Sequence, residues 1–280
     1  MKISASRLSR VMIFGFAAAA LSSAGAAVVG FDGFAYANGA IAGQTGGTGW
    51  NYERTDEAGA PAPTASNWDA LTGAPQVTGG LLVTNGTAAK REFSGATSGS
   101  AAGTNEREGA FRGAGVAYFS TTYSVSSLFA SGTGQWGGLS SYDFDAERVF
   151  FGMLSQGTTD RFFGIGISGA ASALSSIAIV AGQTYSLVAA VDFDNDLLKL
   201  WVNPNGADFD SGATSSADVS LAYTGTNWST AVRLASAPGA DVSWDNLKVS
   251  TAFSDAVPEP SGAVFASLGL YGLLLKRRRR

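Results

Sequence analysis

Short apolar runs closed by glycine-rich or polar breaks recur from Val28 to Val249, and this rhythm constrains the fold more than any other feature of the chain. The runs are Val28–Phe34, Gly80–Val83, Lys90–Phe93, Val116–Val125, Arg148–Leu154, Arg161–Ile167, Ile177–Val180, Tyr185–Phe193, Leu197–Val202, Val219–Tyr223, Ala231–Ser236 and Val242–Val249. They are rich in β-branched and aromatic residues and too short for helices, and nothing between them repeats at the 3.6-residue helical period. With 37 glycines and only 14% charged residues, the chain spends its positions on turns and buried strands. The pattern predicts one all-β domain, a sandwich or a barrel. Within it, Tyr185 to Pro204 reads as a β-hairpin turning at Asp194-Asn195-Asp196. The alternate small residues of Phe162-Phe163-Gly164-Ile165-Gly166-Ile167 suit a strand approached closely by another element.

Histidine and cysteine are both absent. That excludes disulfides, Cys-ligated zinc, thiol nucleophiles and every Ser-His-Asp or Cys-His enzyme. The formal charge of −4 conceals an uneven distribution. Eight of the 18 basic residues sit at the two ends, and the ten that remain face 21 acidic residues, leaving the body near −11. Such a body repels phosphates, so no nucleic acid partner is expected.

Both ends read as addresses. Lys2, Arg7 and Arg10 precede an apolar stretch from Val11 to Leu21 and the small residues Ala24-Gly25-Ala26-Ala27, the three-part pattern of a secretory signal helix. Residues 1–26 are expected to be removed after Ala26, with Ala27 as the alternative, once the secretion machinery has exported the chain. At the other end, Pro258-Glu259-Pro260 is followed by an uncharged apolar stretch from Gly262 to Leu275 and then by Lys276 and four arginines. The prolines make the motif an extended hinge. The apolar segment is a helix of about 20 Å from Ala263 to Leu275, which can lodge in the inner membrane if the terminal cations snorkel.

This order of Pro-Glu-Pro motif, apolar helix and arginine cluster resembles the PEP-CTERM sorting signal. The resemblance implies processing of residues 257–280 by an exosortase, a membrane transpeptidase-like enzyme. It also implies a transient inner-membrane stage and delivery to the cell surface or extracellular matrix. The body, 27–256, carries a second resemblance. Its opening, Phe31-Asp32-Gly33-Phe34-Ala35-Tyr36 with Gly43-Gln44-Thr45-Gly46-Gly47-Thr48-Gly49-Trp50, its hairpin and its closing strand Val242–Val249 are similar to PEP-CTERM proteins with concanavalin A-like or laminin G-like bodies. What this implies is a two-sheet antiparallel jelly-roll sandwich.

The chemistry-bearing residues are few. Asp192-x-Asp194-x-Asp196 has the alternating carboxylates of a calcium loop and makes a structural Ca²⁺ site the one cofactor to consider, against an ordinary turn with exposed aspartates. Asp143-x-Asp145-x-Glu147 and Asp208-x-Asp210 are weaker versions of it. A glycanase would need two carboxylates about 5 to 9 Å apart. Glu106-Arg107-Glu108 is the only comparable glutamate spacing and lies in a polar stretch without strand character. Trp50, Tyr52, Trp68, Trp136, Tyr142 and Trp228 fall at loops or loop edges, and the tryptophans Trp50, Trp68, Trp136 and Trp228 are candidates for stacking on sugars. Trp201 and Trp244 sit on strands and are expected in the core. The expected role is therefore a non-catalytic module associated with carbohydrate or exopolysaccharide. A divergent glycanase and a purely structural matrix protein are the competing readings.

Overall fold

The computed structural model describes residues 28–52, 64–93, 111–112, 115–127, 134–143, 146–154, 161–204, 217–224 and 228–257. Strands in the first third are β1 (Val28–Asp32), β2 (Gly39–Ala40), β3 (Asn51–Tyr52), β4 (Thr64–Ala65), β5 (Asp69–Thr72), β6 (Gln76–Thr78), β7 (Leu81–Thr84) and β8 (Ala88–Glu92). The middle holds β9 (Phe111–Arg112), β10 (Val116–Val125), β11 (Gly137–Asp143), β12 (Ala146–Leu154), β13 (Phe162–Ile167) and β14 (Ser172–Ala178). The rest comprises β15 (Thr184–Asp192), β16 (Leu197–Val202), β17 (Val219–Ala222), β18 (Trp228–Ser229), β19 (Ala231–Ser236), β20 (Val242–Ser250) and one helical turn, α1 (Phe253–Ala256).

Two antiparallel sheets carry almost all of these strands. The larger runs β17-β16-β15-β10-β20-β7-β6-β2, with β1 also paired to β20, and the smaller runs β14-β13-β12-β11-β19-β8-β5. Neighbours such as β20 and β7 are far apart in sequence, so the chain crosses repeatedly from one sheet to the other.

Strand alternation decides which side chains enter the space between the sheets. From the larger sheet come Phe119, Tyr123, Leu187, Leu200, Trp244 and Val249; from the smaller come Leu139, Phe151, Met153, Phe163, Ile165 and Leu234, all fully buried. Tyr123 is the hub of an aromatic cluster, edge-on to Phe163 at 5.5 Å and to Trp244 at 5.1 Å, and its hydroxyl donates to the Gly137 carbonyl at 3.2 Å. Each such edge-to-face pair adds ~1 kcal/mol beyond the area buried.

Trp244 meets the core expectation. Trp201 is also buried but belongs to a second cluster on the opposite face of the larger sheet, where Phe253, Ala256 and Val257 cover Val188, Ala190 and Trp201. The rings of Trp201 and Phe253 lie 4.8 Å apart. The single turn of α1 thus caps this face immediately before the Pro-Glu-Pro motif, which lies outside the described residues together with 1–27.

A buried ion pair ties the sheets together at one end. Asp32, at the end of β1, receives hydrogen bonds on Oδ2 from Arg91 Nη1 at 2.6 Å, Tyr36 Oη at 2.6 Å and Trp68 Nε1 at 2.8 Å, while its Oδ1 accepts from the Phe34 amide at 2.8 Å. Arg91, on the core face of β8, is held by the Ser66 carbonyl through Nε at 3.0 Å and lies over the rings of Trp50 and Trp68 at 5.0 and 5.7 Å. The loop between β1 and β2 is fixed by this carboxylate, and Phe34 accepts a left-handed φ of 50° there while buried against Trp68.

Several tyrosines are held in their protonated form. Burial, then donation to Asp32, pushes the Tyr36 hydroxyl up to about 12, and burial also raises Tyr118, Tyr123 and Tyr142. Unfolded tyrosine loses its proton near pH ~10. The folded state therefore binds more protons than the unfolded state above that pH, so the stability these groups contribute is present below about pH 10 and is lost as pH rises toward about 12. The melting temperature is expected to fall steeply through that window, and Tyr123→Phe is expected to flatten the fall. A melting temperature constant across it would contradict these protonation states.

Candidate functional site

The face of the smaller sheet turned away from the core carries a concave site among the described residues. Strand register builds it. Gly166 pairs with Phe150, Phe150 with Ser140, Ser140 with Arg233, and Arg233 with Lys90, so these five residues form one row across β13, β12, β11, β19 and β8. One pleat away runs a row with almost no side chains: Gly164, Gly152, Gly138, Ala235 and Ala88.

Glycine in this row leaves room for a large ring over the sheet. A Cβ at Gly138 would stand 2.3 Å from the Phe151 carbonyl oxygen and 2.4 Å from the Phe150 ring, so the Phe150 ring rests where a side chain would be. Gly166 is different, since a Cβ there would meet only Leu154 at 3.6 Å and Phe150 at 4.0 Å, ordinary contacts at the edge of the groove. The result is a cleft of about 350 Å³ whose walls include Trp136, Phe150, Leu154, Ile167, Glu147 and Arg233. That volume lies at the lower end of the ~300–1,000 Å³ range of small-molecule pockets. Trp136 stands edge-on to Phe150, with centroids 5.9 Å apart and planes at 82°.

A β-bulge between Ser141 and Tyr142 shifts the register so that Glu147 lies opposite Tyr142. This brings the carboxylate to Arg233: Glu147 Oε1 accepts from Arg233 Nη2 at 2.5 Å and from Ser140 Oγ at 2.6 Å, and Arg233 Nη2 also reaches Ser140 Oγ at 3.2 Å. The guanidinium lies over Trp136 at 5.7 Å and over Tyr142 at 5.4 Å. Lys90 Nζ also lies over the Tyr142 ring at 5.9 Å and is 3.9 Å from Glu92. Burial raises the Tyr142 hydroxyl, with Arg233 opposing and Glu147 adding to the shift. The arrangement offers an apolar ring platform, one ordered carboxylate and one guanidinium at a single opening, suited to holding a flat, hydroxyl-rich molecule.

The sequence candidates are dispersed. Trp136 is in the groove. Trp50 and Trp68 are 3% and 0% exposed and stack on Arg91 and on each other, so they are corrected from sugar-stacking rings to core. Trp228 lies on β18, where its backbone pairs with Arg112, and its side chain falls outside the described residues, as does that of Tyr52. The Asp192, Asp194 and Asp196 set does not converge. Burial alone would raise the Asp192 carboxyl, but bonds from Asn195 and Lys199 at 3.0 Å outweigh it and hold the group below the ordinary carboxylate range. Asp194 accepts from the Gly115 amide at 2.8 Å, and Asp196 takes a turn conformation with φ 52°. Among the described residues no group of three or more carboxylates could hold a metal ion, and Lys199 sits on the Asp192 oxygen that a calcium loop would turn to the cation. Asp143 pairs with Arg148 at 3.2 Å, while Asp145, Glu106, Glu108, Asp208 and Asp210 lie outside the described residues. The sequence points to Glu147 only as part of the weak Asp143-x-Asp145-x-Glu147 pattern and not to Phe150, Ser140 or Arg233, because their convergence depends on register across β11, β12 and β19; the glycines of β13 are the one local signal.

No family model matches the chain, and no curated protein does. Solved structures similar to it include a sialidase, with a TM-score of 0.45 and 12% identity over 78% of this chain and 19% of that one. A Trypanosoma rangeli sialidase has a TM-score of 0.46 and 15% identity over 80% of this chain and 30% of its own. The CBM2 module of the Lactobacillus casei BL23 phage J-1 evolved Dit has a TM-score of 0.44 and 10% identity over 83% of this chain and 97% of the module. The chain thus spans less than a third of the length of either sialidase, and none of the three assigns it a family or a ligand.

The two glycines are expected to separate folding from groove access. Gly138→Ala should cost about 1–3 kcal/mol in denaturant unfolding, because its Cβ meets backbone. Gly166→Val should change stability by less than about 1 kcal/mol while narrowing the cleft. Equal costs at both positions would contradict the geometry given for the groove floor.

Proposed function

We propose that this chain is an exported, non-catalytic carbohydrate-binding protein of the cell surface or extracellular matrix, with a concanavalin A-like jelly-roll body. The groove beside Trp136 carries the binding part of this reading. It combines a half-buried indole, a ring packed over a glycine and a fixed polar pair, which is the chemistry that packs against a sugar's apolar face and bonds its hydroxyls. Binding is favoured over hydrolysis because Glu147, the carboxylate that lines the cleft among the described residues, is tied to Arg233 and has no second acid beside it in the lining. Export and sorting rest on the terminal sequence patterns: residues 1–26 as signal peptide and 257–280 as the substrate of an exosortase, with a transient inner-membrane stage.

A glycan array probed with the purified chain is expected to give selective binding, and Trp136→Ala should weaken it about tenfold or more, which is ~1.4 kcal/mol or more. No binding on a broad array would favour a structural matrix role. For sorting, replacing Pro258, Glu259 and Pro260 by alanine is expected to retain the protein in the inner membrane fraction, whereas unchanged release would remove the exosortase from the proposal.

A further inference from the structure

The charges around the groove narrow the class of glycan it can take. Each described cation of the row and its borders already faces a carboxylate: Arg233 meets Glu147 at 2.5 Å, Arg148 meets Asp143 at 3.2 Å, and Lys90 meets Glu92 at 3.9 Å. Asp69, across from Lys90 in the pairing of β5 with β8, adds a further negative charge on the same row. Three cations therefore stand against four carboxylates, on a body whose net charge is near −11. Arg233 is only 14% exposed, lies over the rings of Trp136 and Tyr142, and donates from Nη2 to both Glu147 and Ser140. Glu147 is 28% exposed at the lining of the cleft, and both of its hydrogen bonds fall on Oε1. Oε2 is the atom positioned to accept from a ligand, and a carboxylate acceptor calls for a hydroxyl donor.

We propose, resting on the glycan-binding reading above, that the groove selects an uncharged sugar, with a ring packed beside Trp136 and a hydroxyl donating to Glu147 Oε2, and that it rejects uronates and other anionic sugars. A sugar carboxylate placed at the same point would face Glu147 while each described cation of the row already has a carboxylate beside it, and like-charge juxtaposition in a partly desolvated cleft is strongly unfavourable. The body's negative field adds a longer-range repulsion that salt screens.

The test is titration calorimetry of the purified full chain with matched pairs of oligosaccharides, a neutral hexose series against the corresponding hexuronate series, at low and moderate salt. The neutral member of a pair is expected to bind at least about tenfold more tightly, with the gap narrowing as salt rises. Glu147→Gln removes the repelling charge and releases Arg233, so it should lower affinity for the neutral sugar and raise affinity for the uronate, closing or reversing the gap. Its thermal melt reports whether it folds, and Trp136→Ala provides a second variant that should lose neutral binding with Glu147 intact. Uronates bound as tightly as neutral sugars by the unmodified chain would overturn the selectivity and leave the glycan groove standing. Binding of neither series would remove the glycan reading itself, and this inference with it.

Discussion

The buried Asp32–Arg91 pair is the interaction on which the arrangement of this sandwich most depends. An arginine on the core face of a strand has a high desolvation cost, which burial expresses by lowering the Arg91 proton affinity. The cost is offset by Asp32, by the Ser66 carbonyl and by the faces of Trp50 and Trp68. Asp32 belongs to the larger sheet through β1, and Arg91 to the smaller through β8. One carboxylate therefore fixes the sheets, the loop after β1 and the left-handed Phe34 together. Removal of either partner would leave an uncompensated charge, typically a loss of about 3–5 kcal/mol.

What the clamp does on one face of β8, the groove uses on the other. Arg91 points inward, so strand alternation sends its neighbours Lys90 and Glu92 outward. From Lys90 the same row leads across β19 to Arg233 and across β11 to Ser140, and the bulge before Tyr142 adds Glu147. Apart from polar residues such as Arg91 and Ser141, the core face of these strands is apolar and tightly filled, whereas the outer face alternates between a polar and aromatic row and a nearly bare one. A cleft follows from that contrast, because rings such as Phe150 have room only over the glycines.

Much of the β architecture is legible in the sequence. Val116–Val125, Leu197–Val202 and Ala231–Ser236 coincide with β10, β16 and β19, and the hairpin at Asp194 is present. These segments carry dense apolar residues, so burial and propensity agree. β11 was missed because Gly137–Asp143 reads as glycine and serine; it becomes a strand through pairing with β12 and β19. β14 was placed too late, at Ile177–Val180, because its serines hide an edge strand running from Ser172 to Ala178. α1 is a single turn, stabilised by packing on Trp201 and Tyr118, and too short to leave a period. The site was less legible than the fold. Trp50 and Trp68 looked exposed beside glycines and charges, but a buried arginine broke the apolar alternation of β8 and supplied the partner that draws them in. Trp136 was found, while its companions depend on register.

On the proposed function, the two faces of the smaller sheet divide stability from recognition. Hydrogen–deuterium exchange of the full chain, with and without a saturating neutral oligosaccharide, tests this division directly. Ligand-dependent protection confined to residues 134–154, 161–168 and 231–236 is the result expected of a groove on the outer face of the smaller sheet. Protection centred instead on the face of the larger sheet under α1, or on the loop from Gly39 to Trp50, would contradict it.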